Sequence, residues 1–195
     1  MAILNVLRGS KLRSPASVRH KGSKISDLLA AHDKFVRGES SGKRADFSGA
    51  DLSRVDFGGT NLSLADCGGA NLEGASLRDA RLTHADFSGC QMRRADLRRA
   101  DCTESNFSGA DMTEAQIGGA ELFRANLSGA ILRRADCGVT NFREADVAGA
   151  VFEGASLKSA ILRETNLTGV DLSGVDLSTA LMPRGYGAPS AVSES

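Results

Sequence analysis

The chain has 195 residues, with 24 Lys or Arg and 24 Asp or Glu, so its formal net charge at pH 7 is zero. This length suits one repeat domain with short termini. The charge is uneven, because residues 1–42 hold eight basic against three acidic residues and residues 43–182 hold fifteen against twenty. The apolar run at residues 1–7 is too short for a signal-peptide core or a membrane span, so we expect neither.

The first predicted element is a basic, flexible arm over residues 1–24. It has six Lys or Arg and several Ser but no acidic residue, a composition typical of a solvated, poorly ordered segment. A second interpretation makes the arm a tether for an anionic partner, either nucleic acid, anionic lipid or an acidic protein. Because the arm has no aromatic residue to stack on bases, nothing favours nucleic acid. An Arg- and Ser-rich start also fits an organelle transit peptide.

A short capping helix is predicted next, over residues 25–38, followed by a linker over residues 39–44. Ser26 is the expected N-cap and Gly38 the expected stop signal. The larger apolar side chains on one face are Leu28, Leu29 and Phe35. A repeat domain exposes an apolar end at its first unit, so we expect this face to cover that end.

The main domain, residues 45–182, begins with 27 consecutive groups of five residues and has no insertion. The third place of each group is apolar or Cys in all 27 groups, and the first place is Ala in 19. These two places must face inward, because the other three carry nearly every charge. A period of five fits neither a helix nor a flat strand. The chain must therefore turn once per group.

Glycine spacing gives the number of groups per coil. The fifth place is Gly at every twentieth residue, namely at Gly49, Gly69, Gly89, Gly109, Gly129, Gly149 and Gly169. One coil is therefore predicted to contain four groups, with glycine at a corner of positive φ. At about 4.8 Å per coil, nearly seven coils would form a rod on the order of 30 Å long.

The pattern, visible in ADFSG and ADLSR, resembles that of the pentapeptide repeat family. The resemblance implies an all-β solenoid, a right-handed quadrilateral parallel β-helix of about seven coils with the predicted N-terminal capping helix. It covers residues 45 to about 182. The departures are Cys at third places and unusual second places at Gln91, Gln116, Ile131, Val151 and Ile161.

A flexible tail is predicted over residues 183–195, because Pro183 removes a backbone donor and ends the pattern. If the tail leaves the last coil uncovered, then Leu172, Leu177 and Leu181 offer an apolar end. Family members often dimerise through this end, so the resemblance implies a homodimer by the same route.

Two sets of outward residues are candidate interaction sites. The first is a basic edge made of Arg54, Arg93, Arg94, Arg98, Arg99, Arg133 and Arg134. The second is a set of outward apolar residues, Phe123, Ile131, Val151 and Ile161. The alternative for the basic edge is a solvated, salt-bridged surface, and scattered apolar residues are common on surfaces.

The remaining reactive residues do not indicate catalysis. Cys67, Cys90, Cys102 and Cys137 occupy inward places and match no metal-binding spacing, so we expect reduced, buried thiols and a cytoplasmic location. The three histidines are far apart, and no nucleophile or phosphate-binding motif is present. We expect no catalysis, cofactor, metal or small-molecule substrate.

The predicted function is therefore a noncatalytic protein-interaction scaffold that presents columns of side chains on a rigid rod to an unidentified protein partner. The alternative comes from the resemblance alone. Some pentapeptide repeat proteins mimic DNA, occupy DNA gyrase or topoisomerase IV and protect against quinolones. Mimicry needs a charge density near that of a duplex, about one charge per 1.7 Å, and the repeat region of this chain is only weakly acidic.

Overall fold

The structure is a computed structural model that describes residues 11–186. The predictions for the first ten residues of the arm and for residues 187–195 of the tail lie outside the described residues. The named elements are a 3-10 turn at Pro15–Ser17, the strands β1 (Arg19–His20) and β2 (Ser23–Lys24), and the helix α1 (Ile25–Val36). The repeats follow as short parallel bridges.

Each bridge joins a second-place residue to the residue twenty positions later. Four columns of bridges begin at Asp46, Asp51, Asp56 and Asn61, and we call the corresponding faces side 1 to side 4. On side 1, for example, the Phe47 amide donates to the Asp66 carbonyl at 2.6 Å. The chain is thus a four-sided parallel β-helix with twenty residues per coil.

The core is a stack of third-place side chains lined by first-place alanines. Third-place residues from Phe47 to Leu162 are at most 1% exposed, which confirms the predicted inward places for these coils. Phe87 and Phe107 stack across adjacent coils, with ring centroids 5.1 Å apart and an interplanar angle of 6°. The inter-coil spacing therefore brings equivalent aromatic rings into direct contact.

Polar residues at first places can be buried because backbone carbonyls of the preceding coil accept hydrogen bonds from their hydroxyl groups. The hydroxyls of Ser105 and Thr140 donate to the carbonyls of Leu82 and Ile117, at 2.7 and 2.8 Å. The Thr165 hydroxyl makes the equivalent bond, again to a carbonyl 23 residues earlier. Since a buried polar group is costly only when it is unpaired, these substitutions for Ala fit the same register.

The corners from Gly49 to Gly174 all have positive φ, which changes the interpretation of the glycine column. The fifth place has φ of +58° at Arg94 and +60° at Glu114, close to the +65° of Gly109. A Cβ on Gly109 would also meet no atom within 4 Å. Glycine spacing gives the correct coil length, but neither backbone geometry nor space distinguishes the corners of side 1 from the others.

Among the described corners with positive φ, Val139 has the residue type that tolerates this conformation least. It is β-branched, has φ of +60° and is 66% exposed. We expect Val139→Gly to raise the free energy of unfolding by about 0.5–1 kcal/mol, since relief of roughly 1–2 kcal/mol of left-handed strain is partly offset by the greater freedom of unfolded glycine. The urea denaturation midpoint would measure this, and a lower midpoint would show that Val139 makes a stabilising contact.

Residues 11–24 are not the flexible segment that composition predicts. Arg13 forms a parallel bridge with Val55 beneath the first coil, with its amide donating to the Arg54 carbonyl at 2.6 Å and its carbonyl accepting from the Asp56 amide at 3.0 Å. Val18 is only 3% exposed. The unpaired edge of the first coil supplies backbone partners, which a composition argument does not take into account.

The helix α1 follows this segment and also packs against the rod. Its N-cap is Lys24, with no capping side chain, so the prediction of Ser26 as N-cap is wrong. The Ile25 amide instead donates to the Val18 carbonyl at 2.9 Å. The helix buries Ile25 and His32, and its partly buried residues packed against the core are Leu28 and Leu29. The third predicted contact residue, Phe35, stacks on His32 with a centroid distance of 5.8 Å.

His32 joins the helix to the rod as a neutral acceptor. Its Nδ1 accepts the Ala45 amide proton at 3.0 Å, and the residue is fully buried. Burial lowers the pKa of His32 from its ordinary value of 6.5, and Arg44 lowers it further, while the Ser63 carbonyl and Asp33 oppose the shift.

This shift predicts a loss of stability in mild acid. Because the folded-state pKa lies below the unfolded one, the unfolded chain takes up the proton first, so the contribution is complete above about pH 6.5 and is lost as the pH falls below it. His32→Asn supplies an acceptor that does not titrate. We expect the wild-type urea midpoint to fall more than that of His32→Asn between about pH 7.5 and pH 5.5. Equal falls would contradict this role.

The last coil is incompletely paired with the coil below it. On side 4, Leu181 donates to the Ala160 carbonyl at 2.9 Å. On side 2, Val151 still forms a bridge with Asp171. On side 3, however, no bridge joins Ser156 to Asp176 among the described residues, and the Leu157 amide has no backbone acceptor there. Leu172 is 8% exposed, in contrast to the fully buried third places below it. The C-terminal end is therefore the loosest part of the described rod.

Candidate interaction surfaces

Most of the predicted basic edge is paired with carboxylates. The pairs are Arg93–Asp111 at 3.3 Å, Arg94–Glu114 at 2.8 Å, Arg98–Asp96 at 2.6 Å, Arg99–Asp79 at 2.6 Å and Arg133–Glu153 at 3.0 Å. Arg54 and Arg134 have no carboxylate oxygen within 4.0 Å among residues 11–186. The edge is thus mainly a ladder of ion pairs.

These pairs lower carboxylate pKa values without making the surface a strong anion site. The hydrogen bond from Arg94 lowers the pKa of Glu114, and that from Arg99 lowers the pKa of Asp79. Their side chains are all at least 32% exposed. Exposed pairs of this kind each contribute about 0–1 kcal/mol, and each paired carboxylate reduces the attraction for an external anion.

Phe123 lies on side 4 in a cluster of guanidinium and carboxylate groups. The Arg124 and Arg143 Cζ atoms lie 4.7 and 5.4 Å from its ring centroid, within cation–π range. Glu144 binds both arginines, at 2.7 and 3.2 Å. The half-buried ring is therefore held in position by its neighbours.

The other predicted apolar residues divide between two sides. Ile131 and Val151 are bridge partners on side 2, whereas Ile161 lies on side 4 and is paired with Leu181. Leu181 is 46% exposed. Side 4 thus combines Phe123, Ile161 and Leu181 in its upper half, while Ile131 and Val151 form a separate small patch.

Sequence reasoning missed two other features. One is the exposure of Val139 and Leu64, 66% and 43%, which their outward fifth places could have indicated. The other is a cavity of about 210 Å³ at the base of the rod, which we call the base cavity. The residues that line it are His20, Lys21, Ser23, Leu28, Ala31, Lys43, Arg44, Ala45 and Asp46. No local motif marks it, since three separate segments form its walls.

The cysteines and the possible metal ligands of the described residues are either buried or dispersed. Between residues 11 and 186 there is no cluster of three His, Cys, Asp or Glu able to hold a metal ion. The four thiols are buried, and burial raises the pKa of Cys90 to about 12. A thiol with such a pKa is almost entirely protonated at neutral pH. In the same described range, no helix has the length and apolar character needed to cross a membrane.

The family model for pentapeptide repeats matches eight copies of the repeat in this chain, over residues 43–79, 75–114, 120–158 and 140–178. The chain therefore belongs to the pentapeptide repeat family, whose members form right-handed β-helices. Among curated proteins no significant match was found.

Several solved pentapeptide repeat structures are similar to this chain. HetL, involved in heterocyst differentiation regulation in the cyanobacterium Nostoc sp. strain PCC 7120, is 29% identical over 74% of this chain and 75% of its own, with a TM-score of 0.41. A trypsin-treated form of QnrB1, a plasmid-mediated fluoroquinolone resistance protein, is 25% identical over 72% and 78%, with a TM-score of 0.36. A thylakoid-lumen protein from Arabidopsis thaliana is 32% identical over 62% and 63%, with a TM-score of 0.27.

Proposed function

We propose that this protein is a noncatalytic scaffold that binds a protein partner through side 4. The observation that carries the proposal is the fixed register of outward side chains, each held above its equivalent by a bridge twenty residues away. Such columns present a preorganised surface, which lowers the entropy cost of binding. Buried thiols suit a reducing compartment, so a cytoplasmic location is part of the proposal.

Phe123 is the proposed centre of the contact. Aromatic and Arg side chains are the residue types that most often dominate protein interfaces. The ring of Phe123 is flanked by Arg124 and Arg143, and Ile161 adds apolar surface on the same side. The basic edge is a weaker candidate because five of its seven arginines already have carboxylate partners.

The test is a quantitative pull-down from native cell lysate with full-length protein, Phe123→Ala and Thr103→Ala. Thr103 occupies the equivalent place one coil below and is also half-buried, so it is a matched control. We expect a partner that is retained by Thr103→Ala and lost by Phe123→Ala. Equal recovery by both variants would exclude this centre, and recovery of no partner by any of them would contradict the scaffold function.

A second candidate function is binding to a type II topoisomerase as a DNA mimic. It is favoured by side 1, where Asp46, Asp66, Asp86 and Asp146 point outward and no Lys or Arg occurs. Coils repeat at about 4.8 Å, so the charge along this side is sparser than the one per 1.7 Å of duplex DNA. A supercoiling assay with purified DNA gyrase and a fluoroquinolone would test this function. A DNA mimic of this kind is expected to protect the enzyme from the drug, and absence of protection would exclude it.

We also propose a homodimer through the C-terminal end. The loosely paired last coil and the exposed Leu181 support this contact. Sedimentation of Leu181→Glu and Leu64→Glu would test it, because the two leucines are 46% and 43% exposed near opposite ends of side 4. Dissociation by Leu181→Glu alone is expected. A monomeric wild-type protein would exclude the dimer.

A further inference from the structure

The base cavity is built where three parts of the chain meet. The β1–β2 hairpin contributes His20, Lys21 and Ser23, and the first residues of the rod contribute Lys43 to Asp46. The helix α1 supplies Leu28 and Ala31. The backbone contact that closes this corner is a hydrogen bond from the Lys43 amide to the Ala31 carbonyl at 3.0 Å. The cavity is therefore a product of the folded N-terminal segment.

Its size suits a single side chain. A volume of about 210 Å³ is below the range of roughly 300–1,000 Å³ that is usual for sites of small molecules and cofactors. Leu28, Ala31 and Ala45 provide apolar wall, and the methylene stems of lysine and arginine can extend such a surface. An aliphatic side chain is the group that such walls bind best.

The charges around the cavity are predominantly positive. Lys21 donates to Asp46 at 2.6 Å, and this contact holds the pKa of Asp46 well below its usual range. Arg44 donates through Nε to the neutral Leu64 carbonyl, and in the described part of the chain no carboxylate oxygen lies within 4.0 Å of its guanidinium nitrogens. Within residues 11–186, Lys43 has no carboxylate oxygen within 4.0 Å. Two of the three cations thus remain available.

The surrounding segment reinforces this polarity. Residues 11–44 contain nine Lys or Arg and three Asp or Glu, whereas side 1, which begins at Asp46, bears only acidic charges. A positive end next to a negative side attracts anionic groups to the end and repels them from the side. The partner of the base cavity must therefore combine an apolar anchor with negative charge.

We propose that the base cavity is a docking site for an acidic peptide segment of a partner protein, which inserts one aliphatic side chain and places flanking carboxylates on Lys43 and Arg44. This deepens the scaffold function and rests on it, because it gives the rod a second contact at its base. It also assigns the basic N-terminal part an anionic partner of defined chemistry.

The experiment uses the full-length protein and three synthetic peptides, Glu-Glu-Leu-Glu-Glu, its Gly-centred equivalent, and Lys-Lys-Leu-Lys-Lys, all with blocked termini. Amide chemical shifts of Ala31 and Ala45 report binding at the cavity. We expect saturable shifts with the acidic Leu peptide only. Shifts that are equal for the Leu and Gly peptides would overturn the apolar anchor, and no shifts at millimolar peptide would overturn the site.

Two variants separate the apolar and the ionic parts. Ala31→Leu fills the cavity without changing charge, and Lys43→Glu reverses one charge at its mouth. We expect each variant to lower the affinity for the acidic Leu peptide by about tenfold or more, and a tenfold change corresponds to about 1.4 kcal/mol. Lys158→Glu, a similarly exposed lysine on side 3, is the matched control and should leave affinity unchanged. An equally large loss of affinity with Lys158→Glu would show that the effect of Lys43→Glu comes from the change in net charge and not from the site.

Vesicles with 30% phosphatidylserine provide the competing outcome. If the protein binds these vesicles, and Lys43→Glu weakens this binding while Ala31→Leu does not affect it, then the partner of this site is a lipid surface and not a peptide. Failure of the peptide experiment would not contradict the proposed contact on side 4, because Phe123 lies on a different part of the rod. Loss of the lysate partner by Phe123→Ala, but not by Ala31→Leu, would retain the scaffold and remove the second contact.

Discussion

Phe107→Ala should lower the free energy of unfolding by about 3–5 kcal/mol, the usual cost of truncating a fully buried aromatic side chain. Phe107 is 0% exposed, and its ring stacks on that of Phe87 at 5.1 Å. The coils above and below are fixed by their bridges, so the resulting cavity cannot close easily. Urea denaturation followed by circular dichroism would give the value.

Phe123→Ala is the matched control, since it removes the same atoms from a half-buried surface position. It should cost less, because part of the ring stays in contact with water in the folded protein and its removal from the surface leaves no enclosed cavity. Comparable losses for the two variants would mean that the side 4 cluster is a structural element and not a site kept available for a partner.

Ala95→Leu should cost about 1–3 kcal/mol by overpacking. Ala95 is fully buried at a first place, where the chain turns between sides 2 and 3. Its carbonyl accepts from the Gln116 amide of the next coil at 2.9 Å. A larger side chain here must displace either a third-place neighbour or the bridge above it. The denaturation midpoint in urea measures the effect.

Arg98→Ala provides the contrast three residues later. Its guanidinium donates to Asp96 at 2.8 and 2.6 Å, but the side chain is 40% exposed. Exposed ion pairs contribute about 0–1 kcal/mol, so the variant should stay within that range. An unchanged midpoint for Ala95→Leu, together with a large loss for Arg98→Ala, would contradict the assignment of inward and outward places.

The repeat could be predicted in detail because its determinants are local and periodic. Inward third places follow from residue type alone, as at Phe87 and Phe107, and the twenty-residue coil follows from the glycine column. The backbone reason for that column was incomplete, since Arg94 and Val139 adopt the same left-handed conformation as the glycines. The spacing of the glycines thus gave the correct coil length, although the preference of glycine for positive φ does not explain why they occupy these corners.

The N-terminal segment could not be predicted from composition because its structure depends on distant partners. The strand edge that orders Arg13 lies at Val55, more than forty residues away. The helix begins without a capping side chain because the carbonyl of Val18 accepts the Ile25 amide proton. Ser26 is a residue type common at N-caps. Because strand β2 ends at Lys24 and the helix begins at Ile25, however, Ser26 lies within the first turn of the helix.

The candidate sites were predicted only in part for a similar reason. Cross-coil pairs such as Arg94–Glu114 follow from the twenty-residue column, whereas Arg93–Asp111 joins residues eighteen apart and Arg98–Asp96 residues two apart. Rotamer choice decides between these partners. The base cavity was not predictable, since its walls come from a hairpin, a helix and the start of the rod.

The strict register makes the rod's length change in discrete steps. Each residue lies directly below the one twenty positions later, so the loss of one residue would shift every later side chain to a wrong place, whereas the loss or duplication of twenty would preserve all four columns. The distance between the base and the upper part of side 4 can therefore vary only in increments of about 4.8 Å. Unequal duplication of a gene segment encoding one coil would change the spacing between two docking sites without altering either one.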